Sequence, residues 1–389
     1  MYRIYLKNKG DLSFSILHNP MLADDGLVVA NPVLRETLNT HGTLRFSVAP
    51  TNPLYDTISS RNSKVKVMSD TNNNKVWFGR VIDVQVGWNK CLDVYCEGEL
   101  ACLNDSIYRP FGFKGRPSVL FTDLIQTYND SLTGGYEFEV GNVSVTDPND
   151  LIVRSSAYAD TVWRTLDAKL FGSSLGGYVI PRYDAETDTH YIDYLALDEN
   201  DQYAKTSTQI IKFGENLLDF SKYVTAEDVF TVLIPYGAIN GEDDPPENGQ
   251  WDGNRLTIKS VNNGDDWIEN QSGITAWGRI VSTNVWDDVT VASNLLTKAT
   301  AYLAQSIAQA MTVSVNAVDL AFIDVDIEQI QVGEYVRVIS KPHDMNILLL
   351  CTSKTTYLTQ LEESDIVLGA GLKTISDLQG RELANVRDA

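Results

Sequence analysis

The chain has 389 residues, 43% of them hydrophobic and 21% charged, with a formal net charge of −21. That length exceeds one ordinary core and sets an expectation of two to four domains, while the composition is that of a folded soluble chain. The acid excess argues against duplex DNA or an anionic membrane as a direct partner, since both select clustered Lys and Arg; its plainest meaning is solubility.

The start, Met1-Tyr-Arg-Ile-Tyr-Leu-Lys, alternates like a strand and lacks the basic segment and long apolar core of a signal peptide. No apolar run approaches the ~18 residues of a membrane span. Synthesis and assembly in a cytoplasm, without direct membrane binding, are therefore expected. Cys91, Cys96 and Cys102 stand five and six residues apart with no His nearby, unlike short CxxC-type zinc spacing, and with Cys351 they read as free thiols in cores.

Residues 1–103 read as short strands broken by turns: 2–6, 12–17, 43–48, 65–68, 76–86 and 92–99. Period-two alternation of this kind predicts an antiparallel barrel or sandwich. Residues 104–205 change character. Val119, Leu120, Leu124, Ile125 and Tyr128 have the spacing of an amphipathic helix starting after Pro117. Asp160 is placed to cap a second helix carrying Val162, Trp163, Leu166 and Leu170, and a hairpin follows around Asp184–Asp188. Phe213–Gly241 is a joint. Asn216, Leu217, Leu218 and Phe220 make an apolar patch, Thr225–Asp228 a polar turn, and Val229–Ile234 a buried strand stopping at Pro235. Glu242–Asn254 is an acidic loop without the calcium-loop spacing. Thr290 is the expected N-cap of a long helix with Leu295, Leu296, Ala299, Tyr302, Leu303 and Ile307 on one face. Strands return at 312–316, 335–339, 347–357 and 365–368, and Leu372–Ala389 is a mixed-charge end.

An internal repeat is visible. Phe46-Ser-Val precedes Val65-Lys-Val-Met-Ser, and Val313-Ser-Val precedes Val336-Arg-Val-Ile-Ser, each pair leading into two more strands. The shared order predicts two related barrels in which Phe46–Val48 matches Val313–Val315 and Val65–Ser69 matches Val336–Ser340.

Several stretches resemble one family: VLRETLNTHGTLRFSVAPTNPLYDTI, VWRTLDAKLFGSSLGGYVIPRYDAETDTHYIDYL, GENLLDFSKYVTAEDVFTVLIPYGA and AWGRIVSTNVWDDVTVASNLLTKATAYLAQS. They are similar to the prophage tail (tail-associated lysin) family, the tail-tip hub proteins of long-tailed phages, whose fold is shared with the central baseplate hub of contractile tails. The resemblance implies a mainly β fold with an α+β insertion. The implied division is a first hub barrel over 1–103, an inserted α+β domain over 104–205, and a return to the first barrel and joint over 206–241. A second hub barrel over 242–370 with a helix at about 291–310, and a tail over 371–389, complete it. It implies a homotrimer in a virion tail tip that adapts a six-fold tube to a three-fold tip. Its partners would be the distal tail protein and tail tube above, and tip, tape-measure or receptor-binding proteins, with DNA only in transit.

For chemistry the residues offer little. His18, His41, His190 and His343 form no HExxH or helical metal pair, and there is no GxSxG elbow, P-loop or GxGxxG. His41, in Thr40-His-Gly-Thr, suits a capping or exposed role. No catalytic, cofactor-binding or metal residue is assigned, and no cofactor. The hydrolase domain appended in longer members of the family is not expected in this chain. The alternative is a wall-acting peptidase or carbohydrate-binding module, which rests on aromatic content and family association alone.

Overall fold

Strict alternation of buried and exposed residues forms the first sheet. In β1 (Tyr2–Asn8), β4 (Thr43–Val48), β5 (Ser63–Ser69) and β7 (Leu92–Gly98) every second side chain turns inward. With β2 (Ser15–His18), β3 (Ala30–Thr37) and β6 (Val76–Val86) they enclose one core that includes Ile4, Leu44, Phe46, Val65, Val81 and Val94. The computed structural model describes the whole chain except residues 70–75, 133, 174, 225–228, 240–254, 288, 309–310, 323–326, 344 and 370–389. The polar turn expected at 225–228, the acidic loop 242–254 and the tail 371–389 thus lie outside the described residues.

Beyond β7 come β8 (Ile107–Tyr108), β9 (Phe111–Gly115), helix α1 (Pro117–Asp130), β10 (Phe138–Val143), β11 (Ile152–Ser156), β12 (Asp160–Thr161), helix α2 (Val162–Leu166), β13 (Tyr178–Asp184) and β14 (Thr189–Leu195). The sheet β10-β14-β13 and α1 share a core with Phe78 of β6 and with Leu100, Cys102 and Leu103. Pro117 is itself at the first helical position of α1, where its missing N–H costs nothing. Leu120, Leu124, Ile125 and Tyr128 are buried as the spacing predicts, whereas Val119 is 53% exposed. The cap of α2 is Thr161 rather than Asp160: its side chain accepts from Arg164 N–H. A π-helical turn over Asp167–Phe171 then replaces a continuous second helix.

Strands β15 (Lys205–Lys212) and β16 (Leu217–Val224) correct the expected return to the first barrel. β15 pairs with β21 (Glu334–Ser340) and β16 with β20 (Met311–Ala317), so both belong to the second set. Which sheet a polar-flanked strand joins is set by pairing with residues about a hundred positions away, and local pattern does not carry that. A further unit interrupts the second set. It contains β17 (Val232–Tyr236), β18 (Ile268–Glu269), helix α3 (Gln271–Trp277), β19 (Val281–Val285) and helix α4 (Ala292–Ala308). Phe230, Leu233, Ile258, Trp286, Leu295 and Leu303 make its own core, so the long helix packs here and not in a barrel. Leu295 N–H donates to Val291 C=O, which moves the cap one residue on from Thr290, and the side chain of Ile307 is not among those described. β17 runs through Pro235, because β18 reaches only Val232 and Leu233 and leaves that edge open to a residue without an N–H.

The last strands are β22 (Met345–Tyr357) and β23 (Asp365–Leu368). The two sets share one strand order. The first reads β3-β4-β7-β6-β5-β1 and the second β16-β20-β23-β22-β21-β15. All neighbours are antiparallel except β15 with β21, where β1 with β5 is antiparallel. The registers agree as well. Val65 faces Gly79 and Val336 faces Leu349, so Val65–Ser69 and Val336–Ser340 are equivalent. A bulge follows Val81 in β6 and Cys351 in β22. One expected match is shifted: Leu44 faces Cys96 as Val315 faces Leu368, which puts Val315 level with Leu44 rather than Val48. An alternating Val-x-Val is unchanged by a shift of two or four residues and does not fix register.

One strand joins the halves. β22 pairs with β21 over Met345–Leu350, then leaves it, and over Ser353–Tyr357 pairs with β3 of the first set. The hairpin beyond it drops Leu358 into the first core, where it is 5% exposed.

Candidate functional site

The tip of the β3–β4 hairpin is where the parts of the chain meet. Asn39 holds a left-handed backbone, φ 57°, which its short polar side chain tolerates. Its amide pairs with β13 as a strand would: Nδ2 donates to Gly177 C=O at 3.2 Å and Oδ1 accepts from Val179 N–H at 3.0 Å. Nearby, Tyr178 O–H donates to Gly333 C=O at 3.2 Å. Gly333 has φ +89°, and an added Cβ would lie 2.7 Å from Ile180. Between these elements lies a cavity of about 260 Å³, lined among others by Leu38, His41, Phe78, Glu99, Ile180 and Arg182.

His41 lines it directly, and His190 reaches it only through its partner Glu99. The His41 ring packs against Trp163 at 4.3 Å between centroids, tilted by 52°. A one-way relay orients it: Arg164 N–H donates to Thr161 Oγ1, Thr161 O–H donates to Asn104 Oδ1, and the Asn104 amide N–H then faces His41 Nε2 at 3.2 Å. Nε2 must supply a lone pair, which selects the neutral ring protonated on Nδ1. Burial, then the charge of Arg80, push its pKa down from 6.5 to about 4. Arg80 is itself held charged: burial opposes it, but Asp105 and Glu97 more than offset that and raise its pKa. His190 Nδ1 lies 2.5 Å from Glu99 Oε2, enclosed by the rings of Phe78, Tyr136 and Tyr183. Burial raises the Glu99 pKa, and the His190 contact offsets part of the rise.

The relay has a pH signature. A His whose folded pKa is depressed contributes stability that is whole above its unfolded value and is lost as pH falls through 6.5 toward 4. The loss is about 3 kcal/mol by the linkage relation. His41→Gln keeps an acceptor for Asn104 and cannot titrate. Urea unfolding at pH 7 and pH 4 is expected to show the variant losing about 3 kcal/mol less than the parent; equal losses would remove His41 from the acid limb.

Chemically, the arrangement holds elements together. His18 accepts from Val29 N–H through Nδ1, and His343 pairs with Ser340. Cys91, Cys96, Cys102 and Cys351 are free thiols, and burial pushes the Cys96 and Cys102 pKa values up, away from thiolate reactivity. Among the described residues, no group of three or more His, Cys, Asp and Glu is placed to hold a metal. No described helix is long and apolar enough to cross a membrane. The Glu99–His190 pair joins residues 91 positions apart, and only the polar Glu among apolar neighbours hinted at it.

Comparison with known proteins places the fold among phage tail proteins. The model of the family described as prophage endopeptidase tail matches residues 204–379, a span that opens one residue ahead of β15. Three solved structures share the fold along nearly the full length. A prophage tail protein of Listeria monocytogenes is 14% identical, with 99% of each chain covered and a TM-score of 0.60. The 43 kDa tail protein of prophage MuSo2 from Shewanella oneidensis is 14% identical over 97% of this chain and 99% of that one, TM-score 0.56. A tail protein from Neisseria meningitidis is 13% identical over 94% and 95%, TM-score 0.58. No curated protein matches in sequence. The C-terminal part of the chain, residues 204–379, thus matches the prophage endopeptidase tail family, and the chain shares the fold of these tail proteins over nearly its whole length.

Proposed function

We propose that the chain is a structural hub at the distal tip of a phage tail or related injection device. It forms a homotrimeric ring that adapts a six-fold tail tube to a three-fold tip. The observation that supports this is the doubled strand order, β3-β4-β7-β6-β5-β1 repeated as β16-β20-β23-β22-β21-β15. Three chains with two like sheets each present six similar faces to a six-fold neighbour, which resolves the symmetry mismatch without a second protein. The division into two barrels and inserted α+β units follows the same reading. The distal tail protein and tube lie above the ring, and tip, tape-measure or receptor-binding proteins contact it elsewhere. The site of action is the virion. DNA passes through and is not held, because the net charge of −21 per chain repels a polyanion.

The chain is read as a scaffold and not a hydrolase, since its histidines and thiols are engaged in packing and no nucleophile–base pair faces the junction cavity among the described residues. The test is the mass of the concentrated protein or assembled particle, with class averages, alongside muropeptide release from purified cell wall. A three-chain ring without release is expected. A dimer or tetramer in the particle, or release abolished by one point mutation, would overturn the reading.

A further inference from the structure

The tip of the β3–β4 hairpin brings two unengaged N–H donors to the junction cavity. Gly42 holds φ +69°, and a Cβ added there would lie 3.3 Å from Trp77 Nε1. The Trp77 indole is thus a close neighbour of the segment that carries His41, and both residues line the cavity. His41 Nε2 is taken by the Asn104 amide N–H, which leaves the ring proton on Nδ1. Among the described residues, neither Trp77 Nε1–H nor His41 Nδ1–H donates to a partner. Trp77 is 7% exposed. A donor so far from bulk water costs stability until an acceptor reaches it.

The rest of the lining narrows the kind of acceptor. Leu38, Val179, Ile180, Leu195 and Val332 give an apolar wall. Glu36, Glu99, Asp193 and Glu334 outnumber Arg182 and Lys205. Arg182 is already committed, since its Nε donates to Asp193 at 3.0 Å, and Asp193 also accepts from Asn142 N–H at 2.7 Å. An anion entering here meets like charge with little water to screen it. A cation meets the positive ends of the two N–H dipoles. A neutral carbonyl suits both. Glu36 stands beside the same donors, its Cα 3.9 Å from the Cβ added at Gly42. A carboxylate offers about four lone-pair sites, so Glu36 can take a further donor beside what it already holds. The cavity of about 260 Å³ exceeds the ~150 Å³ that admits benzene, which sets the ligand at about one ring or one acylated residue.

We propose that the junction cavity binds an acetamido group, whose carbonyl accepts from Trp77 Nε1–H and His41 Nδ1–H, whose methyl lies on the apolar wall, and whose N–H donates to Glu36. Two sources carry this group in neutral form: an N-acetyl amino sugar and an N-acylated peptide unit. Thr37, Pro181, Tyr203 and Lys205 are exposed at the rim, so the remainder of either ligand continues toward solvent. The site goes beyond the tail-hub reading and does not depend on it, because every group it uses belongs to one chain.

The experiment is titration calorimetry of the full chain with N-acetylglucosamine and with N-acetylalanine methylamide, using glucose and acetate as controls. At least one acetamide is expected to bind with Kd of about 1 mM, ordinary for a ligand of one ring, and the tighter of the two identifies the source. Glucose lacks the acetamido group and acetate carries the wrong charge, so both should bind at least about tenfold more weakly. Trp77→Phe keeps a ring and removes one N–H, and is expected to weaken binding about 5-fold. Ile180→Trp fills the cavity from the partly exposed strand β13, and is expected to abolish binding with circular dichroism unchanged. If Trp77→Phe does not fold, Ile180→Trp decides alone. No acetamide binding at about ten times the expected Kd would overturn the site. So would glucose or acetate binding as tightly, or acetamide binding indifferent to both variants. A chain that forms the ring and binds no acetamide overturns the site alone; a chain that binds and forms no ring overturns the hub reading alone.

Discussion

Asp319→Asn is expected to cost about 3–5 kcal/mol of unfolding free energy, as is usual when one partner of a buried ion pair is neutralised. Asp319 is 0% exposed and Lys354 1%. Lys354 Nζ donates to Asp319 Oδ2 at 2.8 Å and to Ile330 C=O at 2.6 Å. Asp319 Oδ1 accepts from Gln209 of β15 at 2.6 Å, and Oδ2 also accepts from Ile330 N–H. One ion pair thus ties β22, β15 and the 319–330 segment, and Gln329 extends the network to Tyr2 of β1 at 2.6 Å. Asn keeps the shape but removes the carboxylate charge to which the buried Lys354 ammonium donates. The urea midpoint should fall by more than about 1 M, given usual denaturant slopes. The double variant Asp319→Leu with Lys354→Met removes both charges and is expected to recover most of the loss, because an apolar pair of like volume often matches a buried ion pair. A fall under about 1 kcal/mol for Asp319→Asn would mean that water reaches the site.

The mainly β class was legible because the inward residues of β1, β4, β5 and β7 alternate without a break. The repeat was legible as order, Val65-Lys-Val against Val336-Arg-Val, but not as register, since β-branched alternation looks the same after a shift of two or four. Three features were out of reach for one reason: each is decided by contacts distant in sequence. β15 and β16 lie in the second sheet through β21 and β20. α4 belongs to the core of Phe230 and Leu233. His41 is not the exposed turn residue its Gly and Thr neighbours suggest, because Trp163 and Asn104 arrive from the insertion to cover it. Trp88 shows the reverse case: its exposure is invisible in a sequence where Trp ordinarily reads as core.

Gly98→Ala is expected to be among the most damaging single-methyl changes in the chain. Gly98 closes β7 opposite Gly79, and its N–H donates to Gly42 C=O across the hairpin tip. Its backbone is ordinary, φ −68° and ψ 165°, so alanine meets no conformational penalty there. The obstacle is space: an added Cβ would lie 1.8 Å from the carbonyl oxygen of His41 and 3.0 Å from its carbon. Both are main-chain atoms, and no rotamer relieves the overlap. The tip must lift by more than 1 Å relative to ordinary contact distance, which draws His41 from Trp163 and Asn104 and draws Asn39 from β13. The expected cost is about 4 kcal/mol or more, the range reserved for strain and broken buried networks. It far exceeds the ~0.4–1 kcal/mol that Gly→Ala gains by restricting the unfolded chain. Gly112→Ala in β9 is the control, since nothing lies within 4 Å of its added Cβ. Thermal and urea unfolding of the two variants should differ sharply, with Gly112→Ala near the parent. If Gly98→Ala unfolds within 1 kcal/mol of the parent, the hairpin tip does not press on β7 as described, and the docking of the first sheet onto the insertion is looser than the Asn39 pairing requires.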